Sequence, residues 1–189
     1  MRATNTLILS LALAFILTFP AGPIYSAFGF STVGLLQGQI WTLLTSLFIH
    51  VGLFHLAGNL FFLYIFGNAL EDEIGAKKTL AIFFLGGVMS LLIGIPFYSP
   101  NTHIVGSSIA VSTIVGAVLI LKPNNYSRIF FFAPLGLVAT IYLIFNAFMG
   151  YFQQSGEVAY ASHAVGFAMG IIFGLVWRRR SRTTQFQHL

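Results

Sequence analysis

The chain has 189 residues, 57% hydrophobic and only 7% charged, where a soluble domain carries roughly 25% charged residues. A water-facing globule is excluded, and repeated long apolar runs point to lipid as the surrounding medium. Cysteine is absent, which removes disulfide and thiolate chemistry. The net charge of +5 does not make a nucleic-acid surface, because the nine basic residues sit at the ends of apolar runs rather than on one basic face.

Six apolar stretches follow in order, roughly Thr6–Phe19, Leu53–Leu70, Leu80–Phe97, Ile104–Leu121, Ile129–Phe152 and Val158–Trp177. Most reach the about 17–25 residues that a spanning helix needs. The first is the weakest: Arg2 before it and Pro20-Ala21-Gly22 after it also suit a secretory signal. The expected fold is all-α, a polytopic membrane bundle of six helices forming one domain over residues 1–189. The long connection at 21–52 carries no Asp, Glu, Lys or Arg but is rich in Phe, Leu and Ile. It reads as a partly helical segment lying in the membrane interface, with Trp41 at headgroup depth.

Charge placement tests the count of six. Arg2 precedes the first stretch, Lys77 and Lys78 lie between the second and third, and Lys122 and Arg128 lie between the fourth and fifth. Arg178, Arg179, Arg180 and Arg182 follow the sixth. All nine fall on one side of a six-span layout, and a wrong count would scatter them. The positive-inside rule makes that side cytoplasmic, with both termini there; in a bacterium the membrane would be the plasma (inner) membrane. Glu71, Asp72 and Glu73 lie on the same side, and Glu157 on the other as a solvated loop residue.

Polar groups at membrane depth are costly and need a reason. The second, fourth and sixth spans run inward, so His50, His55 and Asn59, then Ser108, then His163 share one outer level. His55 and Asn59, four apart, share a helix face. His163, Gly166, Gly170 and Gly174 make one small-residue stripe, and Ser108, Ser112 and Gly116 make another. Such stripes let membrane helices approach closely. If these two pack, Ser108 meets His163, and a hydroxyl beside an imidazole is an activated nucleophile. Each element has a plainer reading. A membrane serine ordinarily bonds its own backbone, glycine stripes ordinarily only pack, and a lone histidine can be a hydrogen bonder. Three imidazoles without Cys or Asp make a poor zinc site, so no metal or cofactor is expected. The Phe-rich third and fifth spans read as lipid-facing and packing helices.

The residues Trp41-Thr-Leu-Leu-Thr-Ser-Leu-Phe-Ile-His50, His55-Leu-Ala-Gly-Asn59, Gly67-Asn-Ala-Leu-Glu71 and Gly75 resemble the first loop and second helix of rhomboid proteases. Gly106-Ser107-Ser108 resembles that family's Gly-x-Ser nucleophile motif, and His163-Ala-Val-Gly166 with Gly170 and Gly174 its catalytic-histidine helix. The resemblance spans about residues 41–174, with the motifs in family order. It implies an intramembrane serine endopeptidase with Ser108 as nucleophile and His163 as general base. It also implies an oxyanion site from Asn59, His55 and the Ser108 backbone N–H. Its implied partners are single-pass transmembrane proteins, cut near the outer face, within membrane lipid. No acid is placed to complete a triad, so a Ser–His dyad with His163 oriented by packing is expected. Three positions depart from the family pattern: Ile109 replaces a glycine after the nucleophile, Thr42 an arginine after Trp41, and Ser112 an aromatic that stacks on the imidazole. The alternatives are a catalytically silent relative that binds transmembrane helices, and a small transporter. A transporter would ordinarily show inverted repeats or paired broken helices, and neither is visible.

Overall fold

A computed structural model describes residues 1–19, 22–127, 129–130, 132–152 and 160–186. Arg128 and Glu157, both used in the charge layout, lie outside the described residues. The protein is mostly helical. Helix α1 is Ala3–Thr18, and the segment after it folds as three short helices, α2 Gly22–Phe28, α3 Thr32–Leu36 and α4 Thr42–Thr45. Helix α5, Leu53–Phe62, continues through a π turn at Leu63–Gly67 into α6, Asn68–Ile74. Helix α7 is Ala76–Gly94, extended by a 3-10 turn to Phe97. Then come α8 Ser108–Leu121, the two-residue strands β1 Tyr126–Ser127 and β2 Ala133–Pro134, α9 Leu135–Phe152 and α10 Tyr160–Phe186.

Two of these rods, Leu53–Ile74 and Ala76–Phe97, are 22 residues each and long and apolar enough to cross a membrane. At about 1.5 Å per residue, such a rod is about 33 Å long, against a hydrocarbon core of about 30 Å. Four shorter apolar helices accompany them among the described residues. Large apolar side chains face outward along the rods, Phe54, Ile16, Ile144 and Ile141 among them, the pattern of a surface solvated by lipid.

Several boundaries move from where hydropathy puts them. Ile104 belongs not to a helix but to an extended segment that bridges Phe30. Gly106, at φ +116°, breaks the chain before α8 begins at Ser108. Residues 129–134 precede α9 and include β2, which pairs with β1. Lys77 and Lys78 lie in the first turn of α7, because the whole connection from α6 is Gly75 at φ +82°.

The charge-free connection is a folded unit. Ser31 Oγ accepts from the Gly34 N–H and caps α3, the Trp41 indole N–H donates to the Ala27 carbonyl at 2.9 Å, and Thr45 Oγ1 donates to the Phe28 carbonyl. Thr42, the departure from arginine, is fully buried and bonds the Gln39 carbonyl. This segment also holds the approach to α8: Phe30 and Ile104 exchange backbone hydrogen bonds, and the Gly106 N–H donates to the Ser46 carbonyl at 2.8 Å.

Helices α8 and α10 form the centre. A Cβ on Gly166 would meet Ile109 and Ser112, one on Gly170 would meet Thr113 and Ala117, and one on Gly174 would meet Ala117 and Ile120. The partner numbers rise together, so the two helices run parallel. Gly116 likewise lies against the Phe167 backbone. Helix α7 packs antiparallel against α8, with Gly86 against Thr113 and Gly87 against Ala110, and also reaches α10, where Gly94 lies against Ser162. Charged side chains gather at the end away from Ser108. There Arg2 pairs with Asp72 and Lys122 with Glu73, each at 3.0 Å. Glu71 accepts from the Ala3 and Thr4 backbone N–H groups and from the Thr4 hydroxyl. A carboxylate from α6 thus caps α1, satisfying donors that a helix start leaves open.

Candidate active site

Ser108 is the first residue of α8, so its backbone N–H has no partner within the helix. The glycine contacts between α8 and α10 bring the first turns of both helices side by side. Ser108 Oγ lies 2.8 Å from His163 Nε2. His163 is buried, 7% exposed, in a setting where a hydrogen bond is electrostatically stronger than in water.

The segment before Ser108 is fixed by His50. The Ser107 backbone N–H donates to His50 Nε2 at 3.4 Å, which makes Nε2 the acceptor nitrogen. The Ser107 hydroxyl, at 3.2 Å, therefore donates to the same atom. The other nitrogen, Nδ1, carries the proton and donates to the Phe48 carbonyl at 3.2 Å. His50 thus serves the turn rather than the reacting atoms. Gly106 must be glycine on two counts. Its φ is +116°, and a Cβ would stand 2.5 Å from Cε1 and 2.8 Å from Nε2 of His55. The His55 ring therefore lies against the backbone two residues before the serine.

His55 and Asn59 come from one face of α5. His55 Nδ1 and the Asn59 amide nitrogen are buried and without a hydrogen-bond partner in the protein. Buried polar atoms are ordinarily paired; these two share one face of α5, whose His55 ring lies against Gly106, and Thr32, Ser46, Tyr98 and Ser162 hold the other unpartnered buried side-chain atoms among the described residues. Among the described residues no group of three or more His, Asp or Glu is arranged to hold a metal ion.

The fifth apolar stretch holds what the sequence reading passed over. Asn146 Oδ1 lies 2.7 Å from His163 Nδ1. One turn earlier on α9, the Tyr142 hydroxyl lies 2.8 Å from Ser112 Oγ. Ser112 donates to the Ser108 carbonyl, so the Tyr142 O–H donates to Ser112. Helix α9 is therefore not simply a packing helix, and His163 is held by a hydrogen bond as well as by its packing. Tyr142 and Asn146, four apart in an otherwise apolar run, were the available signal. Ser112 does not stack on the imidazole; it links α8 to α9. Ile109 is buried in the core, with its carbonyl against Gly166.

A model of the Rhomboid domain matches residues 37–180. The chain is similar to the Rhomboid protease GluP of Bacillus subtilis, 29% identical over 148 residues, covering 73% of this chain and 28% of that protein. It is similar to the Inactive RHOMBOID-like protein 8 of Arabidopsis thaliana, 32% identical over 108 residues, covering 57% of this chain and 30% of that protein. It is also similar to Rhomboid-like protease 1 of Toxoplasma gondii, 23% identical over 161 residues, covering 85% of this chain and 55% of that protein. The chain thus spans between about a quarter and just over half of the length of these relatives. The domain match covers most of the chain, including the helices that carry Ser108 and His163, and on that ground the protein belongs to the rhomboid family, whose members are integral to membranes.

Proposed function

We propose that this protein is an intramembrane serine endopeptidase that cleaves transmembrane-helix substrates with Ser108 as nucleophile and His163 as general base. The observation that carries the reading is the 2.8 Å contact between Ser108 Oγ and His163 Nε2. That is within the reach a base needs to take the hydroxyl proton. As Oγ attacks the scissile carbonyl carbon, its proton passes to Nε2 and the carbonyl oxygen becomes an oxyanion. Donors fixed beforehand in a poorly solvated pocket stabilise that charge, a role for the Asn59 amide, His55 and the Ser108 N–H. When the C–N bond breaks, the proton on Nε2 goes to the leaving amine. Water then repeats the sequence on the acyl-enzyme and frees Ser108.

The membrane layout belongs to the same proposal. Six helices span the bilayer, with both termini cytoplasmic and the serine near the opposite surface, where water can reach it. The charged end of the bundle supports this orientation. A substrate must unwind locally to expose a peptide bond, so Gly, Pro or polar residues near the outer face favour cutting.

The second reading is a catalytically silent member that binds transmembrane helices, which the likeness to a relative named inactive keeps in view. One experiment separates the two. The purified protein is treated with a fluorophosphonate probe and, separately, with a model transmembrane substrate in detergent, alongside Ser108→Ala and His163→Ala. An active wild type with both variants dead supports the protease. Unchanged cleavage by Ser108→Ala rejects the nucleophile assignment, and a wild type inert to probe and substrate alike favours the silent reading.

A further inference from the structure

We infer that Asn146 is a positioning residue that holds His163 in the tautomer and orientation its role as base requires, which makes α9 part of the catalytic apparatus. The inference rests on the protease reading above and extends it from a dyad to a chain of three side chains from three helices.

Hydrogen-bond logic fixes each proton. The Tyr142 carbonyl can only accept, and an Asn146 amide atom lies 2.8 Å from it. That atom must be the NH2, so the amide turns its oxygen toward the imidazole. Oδ1 also only accepts, and it lies 2.7 Å from His163 Nδ1. The ring proton therefore sits on Nδ1. Nε2 is left as the lone-pair nitrogen, facing Ser108 Oγ at 2.8 Å. With the proton on Nε2 instead, the ring could not take the serine proton, and Asn146 Oδ1 would face a second lone pair. When His163 becomes an imidazolium during attack, the same Oδ1 keeps its bond to Nδ1–H and its dipole opposes the new charge.

Asn146 is itself held in place. It is buried, 6% exposed, and anchored through its NH2 to its own helix one turn back. Tyr142 pins that turn to α8 through Ser112. An amide in an apolar membrane helix is expensive, and here both ends of the amide are used. No Asp, Glu, Lys or Arg among the described residues bonds the imidazole. Among the described residues its hydrogen-bond partners include Ser108 on α8 and Asn146 on α9, with Ser112 and Tyr142 linked behind them, and the titratable ring of His55 on α5 lies against Gly106, two residues before Ser108.

The test compares Asn146→Leu and Asn146→Asp with wild type and Ser108→Ala. Positioning predicts that Asn146→Leu, close in size but with no acceptor, lowers kcat about 10- to 100-fold with KM little changed. It also predicts that Asn146→Asp, which restores an acceptor, recovers most of the activity, with the acid limb of the profile moved to higher pH because a carboxylate favours imidazolium. A packing role predicts the reverse order, with Leu tolerated in the membrane helix and Asp damaging. That order would overturn the proposal. The second readout needs no catalysis. In 15N-histidine-labelled protein, the His163 ring, identified by its absence in His163→Gln, should show the Nδ1–H tautomer, and Asn146→Leu should lose that preference. An Nε2–H tautomer in wild type, or an unchanged one in Asn146→Leu, refutes the inference even if the protein cleaves nothing. An inactive wild type with the expected tautomer refutes only the protease reading.

Discussion

Replacing Gly170 by alanine tests whether glycine contacts set the distance between the helices that carry Ser108 and His163. A Cβ at Gly170 would overlap the Thr113 carbonyl oxygen and stand 2.8 Å from the Ala117 nitrogen. Both atoms are backbone in the interior of α8 and cannot rotate aside. Carbon contacts settle at about 3.5–4.0 Å, so α10 must retreat by about 1 Å. His163 is seven residues earlier on the same helix, about 10 Å along its axis, and moves with it. The 2.8 Å bond to Ser108 then stretches past hydrogen-bond range. Misplacement of a reacting group by about 1 Å costs about 100-fold in rate, and overpacking costs about 1–3 kcal/mol of stability. Thermal unfolding in detergent and cleavage of a model transmembrane substrate read the two effects separately. Gly58→Ala is the stability control, since a Cβ there meets nothing within 4 Å, and its melting temperature should not fall. A Gly170→Ala protein with wild-type melting and wild-type kcat would show that these backbone contacts do not position the pair.

Asn59→Ala should lower kcat about 100- to 1,000-fold by removing an oxyanion donor. Its melting temperature should stay near wild type, because the amide nitrogen has no partner to lose; kinetics beside a melting curve check both. Activity should fall on acidification, since a protonated His163 cannot accept the serine proton. A profile of kcat/KM with no acid limb at any pH at which the protein stays folded counts against a histidine base. Glu71→Ala should remove the cap that α6 places on α1. The expected loss is about 1–2 kcal/mol, the size of an N-cap deletion. It should appear as a lower melting temperature with kcat unchanged, and an equal fall in kcat would contradict the separation of that end from the chemistry.

The sequence carried the parts that composition and period encode. Too little charge for a wet surface and small-residue stripes on two stretches were enough to put Ser108 and His163 on facing helices at one depth. The details lost were those set by single backbone angles or by side chains with ordinary names. Gly106 at positive φ delays α8 to Ser108, and hydropathy ran straight through it because Ile104 and Val105 are apolar. The π turn at Leu63–Gly67 leaves no mark in an unbroken apolar run. Asn146 is hidden from hydropathy because sixteen of the eighteen residues of α9 are Phe, Ile, Leu, Tyr, Val, Ala, Met or Gly. The signal lies in single residues: one amide in an apolar run needs a partner, and Tyr142 four residues earlier marks the helix face it shares.

The choice between a working protease and a silent relative turns on the groups that stability does not need. Ser108 bonded to His163, and His163 bonded to Asn146, would serve equally well as a structural tie between α8, α9 and α10. Such a tie leaves the Asn59 amide nitrogen and His55 Nδ1 without a partner, as it does buried atoms of Thr32, Ser46, Tyr98 and Ser162 among the described residues; what sets the two apart is their shared face of α5, with the His55 ring against Gly106. An unmet buried donor costs about 1–3 kcal/mol. A fold selected only to hold together would do better with an apolar residue at each place. Under the protease reading the cost is recovered when an oxyanion forms that needs such donors. Gly106 adds to the case. It brings the His55 ring against the backbone two residues before Ser108 and gives up conformational stability to do so. Asn59 and His55 fit a site kept for what it does to a substrate, and they are the ones whose substitution should lower the rate while sparing the fold.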